Sequence, residues 1–297
     1  SDRLPICPAL VTPAPSGPIN INCAHSDAMG ARNTGWIQIF AENNQEAYDN
    51  MIQAYRIAEH KDVMLPIMVC QDGFITSHAV ENIELLEDDV VKNFVGEYEP
   101  EHYLLKDGEA IAYGPYAVTN YVMEARRAQM QGLRNAKQVA LDVAEEFAAI
   151  SGRKYGLFEE YRLDDADYAM VLIGSAAGTA KDTVDQLREQ GIKAGILKIR
   201  LFRPFPAEEI ANALSHVKYL AIMDRTEDFN TNCGPLGAEI KSALYNKNLH
   251  PAVINYCYGL GGRDVTVESL TSVFEDLMQI EKTGETGETY RYLSVRE

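Results

Sequence analysis

His25 and Asp27 stand two residues apart in a stretch, Ile19 to Asp27, that is polar but nearly free of formal charge. An imidazole and a carboxylate at that spacing suit acid–base chemistry or the orientation of a substrate carboxylate. A histidine that only hydrogen-bonds loop backbone gives the same pattern, and both readings stand. A second set lies in Asp72-Gly73-Phe74-Ile75-Thr76-Ser77-His78. Asp72, Ser77 and His78 have the residue types of a hydrolase triad, but the G-x-S-x-G elbow is missing. Thr76 or Ser77 also reads as a helix N-cap. Arg225 and Arg263, in Asp224-Arg225-Thr226-Glu227-Asp228 and Gly259-Leu260-Gly261-Gly262-Arg263-Asp264, have the chemistry to bind an anion or to pair with a carboxylate across an interface. With no acidic ligand visible, interface pairing is the expected role. Gly261 and Gly262 predict a turn with positive φ. The turn Gly174-Ser175-Ala176-Ala177-Gly178 could cradle a phosphate or be a plain turn of small residues; the spaced-glycine dinucleotide fingerprint is absent.

The 297 residues predict one or two domains, and 46% hydrophobic residues suffice for an ordinary core. Lys and Arg number 27 against 44 Asp and Glu, a formal charge of −17. That argues against nucleic acid or an anionic membrane as partner, since both need cationic surface. Five cysteines (Cys7, Cys23, Cys70, Cys233 and Cys257) show no CxxC spacing, so no zinc or iron–sulfur site is signalled. Their odd number predicts reduced thiols and a cytoplasmic location. No apolar run approaches the roughly 18 residues of a membrane helix, and no signal peptide is visible.

The elements that must position these residues follow from the apolar pattern. Leu4 to Val11 reads as a buried strand. Thr12 to Pro18, with three prolines, reads as a stiff non-helical loop. Trp36 to Phe40 predicts a short strand. Residues 43–60 predict a helix capped by Asn44, with Ala47, Met51, Ala54, Tyr55 and Ala58 on one face. Val63 to Cys70 predicts a central parallel strand. Ligands in open parallel sheets sit beyond the carboxyl ends of strands, so residues 12–27 and 71–78 are the candidate site loops. Residues 81–100 read as irregular, with Glu84, Glu87, Asp88 and Asp89 as solvated surface. Residues 118–163 form a helical linker, as one helix or two broken at Gly132, capped by Gly152. From 164 to 280 strands at 168–173, 192–199, 217–223 and 252–257 alternate with helices at 179–189, 207–215, 235–245 and 266–279. That alternation predicts a doubly wound parallel sheet. The tail, 281–297, shows no core pattern and is expected to dock on another chain.

Four segments carry a family resemblance. His25-Ser26-Asp27-Ala28-Met29-Gly30-Ala31-Arg32-Asn33-Thr34-Gly35-Trp36 resembles the DHxDxMxxRxTGW stretch of 2-oxoacid:ferredoxin oxidoreductases of the pyruvate type. Asp72 to His78 resembles their DGFxTSH loop. Arg200-Leu201-Phe202-Arg203-Pro204-Phe205-Pro206 and Gly259 to Asp264 resemble two more of their segments. The matches fall in order over nearly the whole chain and are to the alpha subunit of the multi-subunit forms.

The resemblance implies an α/β chain. Residues 1–117 would be the C-terminal part of a thiamine diphosphate pyrimidine-binding domain, and 164–280 a transketolase C-terminal-like domain. It implies oxidative decarboxylation of a 2-oxoacid with thiamine diphosphate and Mg2+ shared with a partner subunit. The [4Fe-4S] clusters would lie in partner subunits, beta and gamma/delta types, with none on this chain. Electrons would pass to ferredoxin or another acceptor, with coenzyme A as a possible acyl acceptor. Polar contacts then fall to His25 and Asp27 as catalytic groups, to Pro13, Ser16, Asn20, Asn22, Thr76 and His78 at the substrate, and to Ile21, Asn22 and Asp72 at the cofactor. The family's acidic residue that bonds the aminopyrimidine would lie upstream of Leu4, which implies about a hundred further residues. The family's substrate-facing arginine aligns with Pro13, and proline cannot replace a bidentate Arg–carboxylate contact. Pyruvate, oxalate and an aryl 2-oxoacid stay open as substrates, with a lean toward a bulkier, less polar one. Two other readings remain: a non-catalytic scaffold subunit, and a free-standing nucleotide-binding protein.

Overall fold

A computed structural model describes residues 2–15, 17–114 and 116–296. The first half forms β1 (Ala9–Ala14), β2 (Asn20–Cys23), β3 (Ile37–Phe40) and β4 (Ile67–Asp72). Between them lie α1 (Ser26–Gly30) and α2 (Asn44–Glu59), and after them α3 (Asp88–Val95) and the long α4 (Val122–Ser151). The second half contributes β5 (Phe158–Tyr161), β6 (Tyr168–Ile173), α5 (Ala176–Glu189), β7 (Ala194–Ile199), β8 (Leu201–Arg203), α6 (Ala207–Ala213) and β9 (Tyr219–Asp224). It ends with α7 (Pro235–Asn246), β10 (Ala252–Cys257), α8 (Val267–Thr283) and β11 (Tyr290–Tyr292).

The first sheet runs β2-β1-β4-β3-β8. β1, β4 and β3 are parallel; β2 and β8 are antiparallel edges. β8 comes from the second half of the chain, so the two halves share a sheet. The second sheet runs β11-β10-β9-β6-β7-β5, parallel except for β5. Its strand order reverses between β6 and β9, and the crevice at their carboxyl ends is where doubly wound folds bind ligands.

Three apolar cores hold these layers. One lies between the first sheet and α2 and α4, around Ile39, Ile57, Leu65 and Phe147. A second lies between the second sheet and α5 and α8. The third joins Phe40, Met68 and Cys70 of the first sheet to Val171, Ile199, Ile222, Ile210 and Ile240 of the second unit. The two halves are therefore packed on each other through a continuous apolar core.

Several expectations are corrected. The proline-rich stretch does not stop the strand at Val11: β1 continues to Ala14 and turns back as β2, with a bulge at Pro13/Ala14. Pro13 lacks an N–H, and a bulge is where a strand tolerates that loss. Residues 19–27 are thus a strand leading into α1 rather than a loop. α2 is capped by Asn43, whose side chain accepts from the Glu46 amide, not by Asn44. Its buried face carries Asp49, Asn50 and Gln53 beside Ile52, Ala54, Ile57 and Ala58, while Tyr55 is exposed. Residues 88–95 are helical, with Phe94 buried. α4 is continuous through Gly132, where a Cβ would lie 2.8 Å from the Val63 carbonyl; Gly152 ends it with φ 73°. Strand β11 in the tail pairs with β10, so that segment completes the second sheet.

Candidate functional site

β4 delivers Asp72 at its carboxyl end, and the hairpin β1–β2 delivers His25 at the entry to α1. The two meet inside the protein, with His25 Nε2 at 2.7 Å from Asp72 Oδ1 and both side chains almost fully buried. The second Asp72 oxygen reaches into the other half of the chain. Asp72 Oδ2 accepts from the Ser175 amide at 2.9 Å, the Ser175 hydroxyl at 2.5 Å and Arg225 Nη1 at 3.1 Å. Ser175 begins α5 and Arg225 follows β9, so these donors stand at the reversal between β6 and β9. The small turn before α5 therefore does hold an anion, and that anion is the carboxylate of Asp72. Gly174 is required there: its φ is +80° and a Cβ would lie 2.8 Å from Asp72 Oδ1.

The charges fix one another. Burial alone pushes the Asp72 carboxyl up; His25, Arg225 and the Ser175 hydroxyl outweigh it and hold the group well below the usual carboxylate range. Burial likewise pushes the His25 imidazole down, and Asp72 reverses this and raises it well above its ordinary value. Asp72 therefore favours the protonated, cationic form of His25. Its main chain is tied as well, donating to the Arg225 carbonyl at 2.8 Å. Arg225 is held by the Gly259 carbonyl at 3.2 Å and lies over the Tyr258 ring. Cys23, His25 and Asp72 bring sulfur, nitrogen and oxygen atoms within 4.8 Å of one another. A metal ion there would compete with two cations already bound to Asp72, so the cluster is an ion-pair network, not a metal centre.

The other sequence-derived residues are placed as follows. Asn20 Oδ1 accepts from the Asn22 amide at 2.7 Å and from its side chain at 3.0 Å, while Asn20 Nδ2 donates to the Gly261 carbonyl at 3.1 Å. Asn20 thus ties the hairpin to the Gly259–Gly262 turn, and Asn22 in turn holds Asn20. Gly261 (φ +62°) and Gly262 (φ +80°) have the expected conformation, and Cβ atoms there would meet Asn20 and Asn22. Asp27, in the first turn of α1, accepts from the Ala28 amide at 2.7 Å, and burial raises its pKa. Pro13 is half-buried, Ile21 is exposed, and Ser16 lies outside the described residues.

After Asp72 the chain forms a turn and no helix, so neither Thr76 nor Ser77 is an N-cap. Ser77 Oγ instead accepts from the Phe74 amide at 2.9 Å, and His78 stacks on Phe74 with ring centroids 4.3 Å apart. Ser77 and His78 are hydrogen-bonded at 2.9 Å, but Asp72 faces away into its own network, so no triad forms. Thr76 is buried and its hydroxyl has no partner among the described residues. Among the expected cofactor ligands, Asp72 has both oxygens taken by protein donors. Sequence reading missed Ser175 as a partner of the site; its only signal was the small-residue turn at the β6 carboxyl end.

Two family models match. Residues 1–145 match the model described as pyruvate flavodoxin/ferredoxin oxidoreductase, thiamine diphosphate-binding, and residues 166–270 match pyruvate:ferredoxin oxidoreductase core domain II. The chain is 46% identical over 297 residues to pyruvate synthase subunit PorA of Thermotoga maritima, covering all of this chain and 75% of that one. It is 39% identical over 286 residues to the alpha subunit of the NADH-dependent phenylglyoxylate dehydrogenase of Aromatoleum evansii, covering 92% of this chain and 68% of that one. A solved 2-oxoglutarate:ferredoxin oxidoreductase from Magnetococcus marinus shares the fold at a TM-score of 0.64 and 15% identity, over 94% of this chain and 49% of that one. The chain belongs to the pyruvate flavodoxin/ferredoxin oxidoreductase family, from its thiamine diphosphate-binding domain through core domain II.

Proposed function

We propose that this chain is the alpha-type subunit of a complex that oxidatively decarboxylates a 2-oxoacid with thiamine diphosphate. The observation that carries the reading is the carboxyl end of β4. There Asp72 locks the strand to the second unit, and the next residues present a buried, unpartnered Thr76 hydroxyl beside exposed Phe74 and Ile75. Exposed Ile19 and Ile21 stand on the hairpin of the other site loop. One free polar group among apolar side chains suits a planar ring.

The same residues do not suit a diphosphate with Mg2+. Arg225 is committed to Asp72, and the carboxylates of Glu42, Glu46 and Glu159 are already paired with Lys198, at 2.5–2.7 Å, and Lys181. We therefore assign the diphosphate and its ion to a partner subunit and the ring to this chain. When bound, thiamine diphosphate supplies the nucleophilic carbon and the electron sink that decarboxylation of a 2-oxoacid needs. This chain's part is orientation and charge: Asp72 favours the cationic form of His25 behind the site, and Asp27 is the less constrained carboxyl group on the same segment. The iron–sulfur clusters are assigned to partner subunits too, since the five cysteines here are separate and free. The electron acceptor is ferredoxin or a related carrier, and coenzyme A takes the acyl group where the substrate leaves one.

Pro13 carries no charge to meet the carboxylate that every 2-oxoacid has, so another group must bind it; relatives by name include both a pyruvate synthase and a phenylglyoxylate dehydrogenase subunit, and both substrates stay open. The test is the assembled complex, assayed anaerobically for viologen reduction with pyruvate, oxalate, phenylglyoxylate and 2-oxoglutarate. Thiamine-dependent reduction with one of them is expected; none with any would overturn the reading. A scaffold role has one observation in its favour, since Asn20, Asn22 and His25 turn their polar atoms inward. In that case substitutions at Thr76 and Asp27 leave turnover unchanged.

A further inference from the structure

In a doubly wound unit, the crevice at the strand-order reversal is the ready-made ligand site, because helix N-termini and loop donors converge there. In the second unit this crevice lies between β6 and β9. It has the parts of an anion seat: the amide and hydroxyl of Ser175 at the start of α5, the guanidinium of Arg225, and Gly174, which leaves room for the anion. Yet the seat is filled by a side chain from the other half of the chain. Asp72 is 1% exposed, and its Oδ2 accepts all three of these hydrogen bonds. Its remaining oxygen, Oδ1, meets His25 Nε2.

We propose that Asp72 is a positioning residue whose carboxylate occupies an anion-binding crevice of the second unit, and that this seat, when Asp72 is cut back to alanine, accepts a small free carboxylate. The carboxylate is the shared partner of four donors drawn from three separate parts of the chain: the hairpin end (His25), the start of α5 (Ser175) and the end of β9 (Arg225). The strand-end loop 73–78 starts from it directly. Moving Asp72 therefore moves the loop and the hairpin together. A nucleotide phosphate cannot occupy this crevice while Asp72 is in place.

The test is Asp72→Ala, with sodium formate as the probe. Formate carries the same two oxygens, and Asp72→Ala, which keeps the β-carbon, vacates the space of the carboxylate group. In the purified chain, formate is expected to raise the melting temperature of Asp72→Ala saturably, by about 2–4 °C. It should leave the wild type unmoved, and the response should vanish in Asp72→Ala/Arg225→Met. This readout is independent of the reaction. In the assembled complex, and resting on the function proposed above, Asp72→Ala should lower turnover roughly 100-fold, because the groups it positions shift by about an ångström. Formate should restore part of that loss over the same concentration range. A folded Asp72→Ala whose melting ignores formate overturns the seat. A melting response with turnover equal to wild type keeps the seat and overturns the positioning role. Should Asp72→Ala not fold in either buffer, Asp72→Asn decides: a fall in kcat with KM within about twofold supports positioning, and wild-type kcat refutes it.

Discussion

Asp72 and His25 hold opposite charges 2.7 Å apart inside the protein, and each shifts the other's titration. A histidine whose folded pKa is raised adds stability that is complete below its unfolded value, about 6.5, and fades as pH climbs toward the folded value. A carboxylate whose folded pKa is lowered adds stability that is complete above about 3.9 and is lost as pH falls. Together the pair contributes most between about pH 4 and pH 6.5. The melting difference between wild type and Asp72→Asn is expected to be widest there and to narrow on both sides. A difference that is flat from pH 3 to pH 9 contradicts the charge assignment. Thr76 makes the opposite case, a buried hydroxyl with no partner among the described residues. Leaving such a group unsatisfied costs about 1–3 kcal/mol. Thr76→Val should raise the melting temperature of this chain while slowing the assembled enzyme; a loss of stability with full turnover would show that the hydroxyl serves the fold. The Asp72 pairings were not visible in the sequence. His25, Ser175 and Arg225 each showed a chemically suggestive type, but Asp72 lies 47, 103 and 153 residues from them.

At the scale of elements, the βαβ unit from Tyr168 to Ile199 was legible because fully buried strands leave unbroken apolar runs, and β6 and β7 are buried at every position. α2 was harder to orient. Its buried polar residues meet partners far along the chain: Asp49 accepts from Arg153 Nε and Nη2 at 2.6 and 2.9 Å, and Asn50 and Gln53 accept from Arg200 at 2.8 and 3.1 Å. A hydrophobicity pattern discards these residues, so the predicted face was rotated. The hairpin β1–β2 was hidden by prolines, which break a pattern without always breaking a strand. Its anchor is the Gly261–Gly262 turn, where a Cβ at Gly262 would lie 2.6 Å from Asn22 Cβ in a backbone with φ +80°. Gly262→Ala is expected to cost about 1–3 kcal/mol, measured by denaturant unfolding. An unchanged midpoint would mean that the hairpin does not bear on that turn.

Across the whole molecule, the two units are joined by more than a linker. β8 crosses from the second half to complete the first sheet, and one apolar core includes residues of both. Cations of the second unit meet acids of the first: Lys198 touches Glu42 and Glu46, and Arg225 touches Asp72. Unfolding is therefore expected as one calorimetric transition; two separated transitions would show independent domains. No helix among the described residues is long and apolar enough to cross a membrane. The most direct test uses a photoreactive thiamine diphosphate analogue in the assembled complex, followed by peptide mapping. Label is expected on this chain within residues 12–27 or 73–78, together with label on a partner subunit. Label confined to other subunits would contradict the claim that this chain forms half of the cofactor pocket.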